Sequence, residues 1–244
     1  MPDTIQFLLL PGFSALGFIS ALEPLRVANR FRGALYRWRV LSLDGGPVQA
    51  SNGMSVNADL ALADSERGAS TLFPYTMLFR SIDTGAMVLA EAGLLDGYRA
   101  TLHWEALEAF KERYPRLQAT QELFEIDRRR ITCAGGTASI DLMLDLIAQA
   151  HGSELAIQVS EQFVLGRIRP RQDHQRMEIA TRYGIRNRKL VKVIGEMERN
   201  TEQPLDTLAL AETIQVTRRR FRSPGASWSA CSACTWTTRR AVST

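Results

Sequence analysis

Residues 131–147 read ITCAGGTASIDLMLDLI, and three patterns follow one another inside them. Ile131-Thr132-Cys133 is short, apolar and β-branched, as a buried strand requires. Gly135-Gly136 supplies backbone freedom for a tight turn. Ile140, Met143, Leu144 and Ile147 then recur at the spacing of one helix face. Strand, turn and helix in so short a stretch is the repeating unit of a doubly wound α/β fold. The chain opens in the same way. Ile5 to Leu10 is a continuous apolar run closed by Pro11-Gly12, which predicts a buried strand of a mostly parallel sheet. Ser14 is a candidate N-cap, and Leu16, Ile19, Leu22 and Leu25, with Phe18 beside them, predict a helix up to the basic stretch near Arg30. Tyr36 to Leu43 alternates as a second strand and Asp44-Gly45-Gly46-Pro47 is its turn. Gly85 to Ala92 predicts a helix ended by Gly93, and Trp104, Leu107 and Phe110 form a helical stripe that Pro115 stops. This α/β domain is expected to end near Leu165.

The chain has 244 residues with 45% apolar and 23% charged side chains, enough for one large domain or a medium domain and a small one. No apolar run approaches the roughly 18–20 residues that span a bilayer. Asp3 and Pro11-Gly12 deny the N-terminal run the shape of a secretory signal, so a cytoplasmic protein is expected. Three cysteines, Cys133, Cys231 and Cys234, are too few for a disulfide framework. The net charge of +4 hides an asymmetry. Residues 1–165 carry 14 Lys/Arg against 19 Asp/Glu, whereas residues 166–222 carry 14 against 7. An acidic domain for a small ligand, followed by a basic segment for phosphate backbone, is one reading; a solvated charged helix face is the other.

Beyond Leu165 the composition changes. Residues 166–187 are rich in arginine and read as a basic linker or exposed helix. Leu190, Val191, Ile194 and Met197 give one helical stripe, and Leu205, Leu208 and Ala211 give another after Pro204. Residues 223–244 abandon all periodicity. Cys231 and Cys234 form a lone CxxC, a weak zinc signal without a second pair, and neither a metal nor a cofactor is expected.

Three blocks carry a resemblance: FLLLPGFSALGFISALEPLRVANR at 7–30, IDTGAMVLAEAGLLDGYRATLHWE at 82–105, and ITCAGGTASIDLMLDLIAQAHG at 131–152. They resemble the first domain of GlxA-type transcriptional regulators of the AraC family, which is itself similar to PfpI-like amidases and class I glutamine amidotransferases. PLDTLALAETIQVTRRR, 204–220, resembles the first helix-turn-helix of the same regulators. The resemblance implies a flavodoxin-like sensory domain at 1–165, a linker at 166–187 and a partial AraC-type helix-turn-helix domain at 188–222. Two interruptions break the pattern. Residues 70–81 resemble the translation of a sequencing-adapter read where the family has a further strand and helix, and 223–244 resemble an out-of-frame reading.

The resemblance also implies a site. Glu23 matches a carboxylate on the first helix, Asp83 stands where enzyme relatives carry a nucleophilic cysteine, and His103 with Trp104 matches the histidine neighbourhood. Without a polarisable sulfur there, amide hydrolysis is disfavoured, so a non-catalytic domain is expected, with a PfpI-like amidase or glyoxalase-type enzyme as the alternative. Two carboxylates sharing a cavity favour a cation, and the Asp-Thr-Gly variant resembles regulators that answer to glycine betaine, carnitine or arginine. The effector class implied is a quaternary amine or amino acid. Each residue has a structural alternative: Glu23 an exposed helix carboxylate, Asp83 a helix cap, His103 a packed histidine, Cys133 a small buried residue. Thr217, Arg218, Arg219 and Arg220 fall where a recognition helix begins and are the expected DNA contacts; a homodimer is the expected assembly and no membrane partner is.

Overall fold

The computed structural model describes residues 2–65, 79–200 and 203–221. Expectations on residues 70–78, Arg222, Cys231, Cys234 and the tail at 223–244 lie outside these. Element order alternates as the sequence predicts: β1 (Asp3–Leu8), α1 (Ala15–Arg32), β2 (Tyr36–Ser42), the short β3 (Val48–Gln49), β4 (Ser55–Val56) and β5 (Leu60–Ala61), then β6 (Phe79–Ile82), α2 (Gly85–Glu91), β7 (Arg99–Ala100), α3 (Leu107–Arg113), β8 (Gln118–Ala119), β9 (Phe124–Asp127), β10 (Arg130–Cys133), α4 (Ala138–His151) and α5 (Ser153–Gln162). The helices α6 (Ile179–Arg182), α7 (Arg188–Arg199), α8 (Thr207–Thr213) and α9 (Arg218–Phe221) follow. Residues 79–81, the end of the stretch expected to be foreign, are part of β6 and pair with β10.

The fold is α/β, with β1–β2, β2–β5, β6–β10 and β7–β8 parallel and β9–β10 and β3–β4 antiparallel. Among the described residues the strands form two three-stranded sheets, β1-β2-β5 and β6-β10-β9, with no ladder between them, and two two-stranded ones, β3-β4 and β7-β8. One apolar cluster serves both, with Ile5 and Tyr36 from the first sheet, Phe124 and Ile131 from the second, and Leu25, Leu144 and Ile147 from the helices.

Ser14 caps α1 as expected, its Oγ accepting from Gly17 N at 3.2 Å. The buried face of α1 departs from the predicted stripe. Leu16 and Ile19 are 56% and 44% exposed, while Ala15, Gly17, Ser20, Ala21, Pro24, Leu25, Val27 and Ala28 are buried. Small side chains let α1 approach closely: a Cβ on Gly17 would lie 3.1 Å from Ile82 Cγ2.

The chain divides by its contacts into residues Met1–Gln175 and Arg176–Thr244. The first ten residues of the stretch read as a linker, 166–175, are therefore bound into the first unit. In the second unit Val193, Leu210 and Ile214 form a small core with Met197, Leu205, Val216 and Phe221. Leu208 is exposed and Leu210 takes its place, and Val193 is more deeply buried than Val191. Asn187 and Asp206 cap α7 and α8. Among the described residues no helix is long and apolar enough to cross a membrane.

Candidate functional site

β6 and β10 lie side by side and both run into sharp turns. After Ile82 the chain bends at Asp83, whose φ of 61° is in the left-handed region that L-residues rarely occupy. The Asp83 N–H donates to the Cys133 carbonyl at 3.0 Å, which ties this bend to the end of β10. There the chain turns through Gly135 and Gly136, both at positive φ. A Cβ on Gly135 would stand 2.8 Å from Asp83 Cβ, so the two turns approach only because one of them is glycine. Asp83 is half-buried, and its carboxylate makes no hydrogen bond or ion pair among the described residues. The helix-cap reading does not hold: Thr84 is the N-cap of α2, and no side-chain cap bond is made there.

Beside these turns is a cleft of about 170 Å³ lined by His103, Trp104, Gly135, Gly136, Arg169 and Gln175, among others. Trp104 is 38% exposed, and its ring centroid lies 5.6 Å from that of His103. His103 Nδ1 accepts from the Glu105 N–H at 3.4 Å, a local turn contact. Arg169 reaches the cleft from the 166–175 segment. It holds Asp141 of α4 through Nε at 2.9 Å and Nη2 at 2.6 Å, while its own N–H donates to Asp141 at 2.8 Å. Asp141 is 3% exposed, so this pair is a buried, multiply bonded anchor. Nη2 also bonds Thr137 Oγ1 at 2.9 Å. A larger hollow of about 380 Å³ along Thr4, Arg37 and Trp38 contains none of these groups.

Of the four residues expected to form the pocket, His103 and Trp104 line the cleft and Asp83 packs against its Gly135. Glu23 does not line it; it is joined on α1 to Arg26, whose Nε lies 2.9 Å and Nη2 2.7 Å from the carboxylate. Arg169 brings a guanidinium to the cleft, and Arg26 supplies Glu23 with a counter-charge on its own helix. Arg169 and Gln175 were hidden because their segment reads by composition as solvent-exposed linker. Cys133 is fully buried. Burial pushes its thiol up to about 11, despite opposing hydrogen bonds from the Gly135 N–H and the Ser139 hydroxyl. It is a neutral thiol near neutral pH.

In the second unit the turn between α8 and α9 passes through Gln215 at φ 55°. Val216 N donates back to Ala211 O at 3.0 Å, and Thr217 Oγ1 accepts from Arg220 N at 3.3 Å, which starts α9. Arg218, Arg219 and Arg220 are all exposed there.

A left-handed residue between a parallel strand and a helix, beside a glycine turn, with a downstream helix-turn-helix, fits the resemblance to regulators that carry a PfpI-like α/β unit and a DNA-binding domain in one chain. The comparisons agree. HTH-type transcriptional regulator CdhR of Pseudomonas aeruginosa is 65% identical over 91% of this chain and 72% of its own length. HTH-type transcriptional regulator GlxA of Rhizobium meliloti is 36% identical over 89% of this chain and 74% of its own. An AraC family transcriptional regulator from Pseudomonas putida superposes with a TM-score of 0.60 at 28% identity, covering 66% of this chain and all (100%) of that one. A ThiJ/PfpI family protein from Pseudomonas syringae shares the fold, with a TM-score of 0.56 at 21% identity over 70% of this chain and 78% of its own. No protein-family model matches the chain. The chain belongs to the GlxA-type HTH transcriptional regulators of the AraC family.

Proposed function

We propose that the first unit is a non-catalytic sensor for a small cationic amine, taken up in the His103–Trp104 cleft beside Asp83, and that Thr217 and Arg218 to Arg220 contact DNA. The observation that carries the effector reading is the Asp83 carboxylate: half-buried, packed on the Gly135 turn, and without an ionic partner among the described residues. A half-buried carboxylate lacking a counter-charge is stabilised by a cation. Trp104, 38% exposed in the same cleft, offers its ring to an ammonium group. Arg169 does not cancel the carboxylate, because its charge is engaged by Asp141. Glycine betaine, carnitine and arginine are the amines that the family resemblance suggests. Glu23 enters this site only by that resemblance.

The enzyme alternative is disfavoured on chemical grounds. The nucleophile position holds Asp83, and Cys133, the cysteine among the described residues, is buried with its thiol held near 11. A homodimer, in which two half-sites would be read together, belongs to the same proposal.

Calorimetry with the three amines tests the reading. Binding of at least one is expected, and Asp83→Asn or Trp104→Ala should each weaken it at least about tenfold, about 1.4 kcal/mol. Glu23→Gln weakening binding by the same factor would bring Glu23 into the site. No heat with any of the three, or unchanged affinity in both the Asp83 and Trp104 variants, would remove the proposal.

A further inference from the structure

The last ten residues of the first unit, 166–175, belong to no helix or strand and are fastened as a strap at three points. Arg169 bonds Asp141 and Thr137. The Arg171 carbonyl accepts from Leu123 N at 2.9 Å, and its guanidinium lies 3.7 Å from Glu125, a carboxylate 1% exposed. Gln175 donates through Nε2 to Thr101 Oγ1 at 3.2 Å, Leu102 O at 3.2 Å and Glu122 O at 2.9 Å.

The third fastening is the unusual one. The Thr101 hydroxyl is directed at the carbonyls of Thr120 and Glu122, so it can only accept from the Gln175 amide. All three neighbours are acceptors, which fixes the carboxamide with its nitrogen toward them. Gln175 Oε1 is consequently left buried with no donor. A buried carbonyl with no donor among the described residues opposes the fastening that its own amide makes.

Arg169 and Gln175 are also walls of the cleft. The next residue, Arg176, opens the second unit and comes within 3.8 Å of Glu198 on α7. Gln175 is thus the last residue of the first unit and Arg176 the first of the second. We propose that the 166–175 strap is a latch that converts occupancy of the cleft into a change in how firmly the tether of the DNA-contacting unit is held; this rests on the effector reading above. A ligand carboxylate competes with Asp141 for Arg169, and a ligand donor offers Gln175 Oε1 the partner it lacks once the side chain turns. Either interaction differs between the fastened and the released strap, which is what a ligand needs in order to shift that equilibrium.

Hydrogen exchange read by mass spectrometry on the full chain tests the latch, with glycine betaine, carnitine and arginine as probes. Gln175→Leu keeps the volume and removes both the three donated bonds and the orphan oxygen. It should speed exchange across 166–175 by about tenfold or more while α4 and β10 stay protected. A probe that gives calorimetric heat should change exchange of the same residues in the unsubstituted chain, and change it less in the variant. Unchanged strap exchange in Gln175→Leu overturns the latch. So does a probe that binds by calorimetry and leaves the strap as in the free chain, and in that case the effector reading survives. No heat with any probe removes the effector reading and the latch together. If Gln175→Leu does not fold, trypsin cleavage after Arg167 and Arg171 in the unsubstituted chain gives the same decision: a rate changed by a bound probe supports the latch, an unchanged rate overturns it.

Discussion

Gly135 and Asp83 face each other across the ends of neighbouring strands, and the contact is too close for a methyl group. Gly135→Ala adds a Cβ at φ +88°, 2.8 Å from the Asp83 side chain. Left-handed strain and overpacking act together, so a loss of about 2–4 kcal/mol in urea unfolding is expected. Unchanged stability would mean that the Asp83 turn yields freely. The two glycines were legible as a turn from sequence, and Cys133 as a buried strand residue. What they touch was not. Asp141 and Arg169 lie 28 positions apart, and no local pattern links an acid in an apolar helix stripe to an arginine in a basic stretch. Asp83 was legible as the residue at the cysteine position only through resemblance. Its left-handed backbone follows from tertiary packing, because neither Asp nor the Thr-Gly that follows demands it.

At the scale of elements, strands and helices were legible from period and punctuation, because burial on one side imposes those periods on any sequence. Which face of a helix goes inward was less so. Of the large residues of α1, Leu25 is buried as expected, but close packing also selects Ala15, Gly17 and Ala21 and leaves Leu16 and Ile19 outside. α6 and α7 show an arrangement that periodicity does not contain. Glu198 of α7 accepts from Arg182 at 2.8 Å and from the Tyr183 hydroxyl at 2.9 Å. Burial works against its charge, but the Arg182 and Tyr183 hydrogen bonds and the Arg182 and Arg176 charges outweigh it and hold the carboxyl below its ordinary range. A carboxyl lowered by folding stabilises the native state above its unfolded pKa, about 4.3. That stability is lost as the pH falls through the lower, folded value. Glu198→Gln should therefore lower the melting temperature at pH 7 and flatten its fall below about pH 4.3. Parallel acid limbs in the two proteins would show that Glu198 is not the titrating group.

For the whole molecule, the proposal makes the basic stretch at 166–222 the electrostatic footprint of a DNA contact. The DNA contact proposed for Thr217 and Arg218 to Arg220 is expected to be strongly salt-dependent. Replacing Arg218, Arg219 and Arg220 with alanine should reduce the slope of log affinity against log salt by about 2–3 if all three meet phosphate. Tight, sequence-selective and salt-insensitive binding in a mobility-shift assay would contradict this. The architecture carries a mechanical consequence as well. The two three-stranded sheets share side-chain packing but no backbone ladder among the described residues. Among the described residues what crosses the seam is side-chain packing, so a displacement there strains van der Waals contacts. The Asp83 and Gly135 turns ride together on one sheet, so such a displacement would carry them as a rigid pair past α1, with the glycine contact at Gly17 and Ile82 as its bearing.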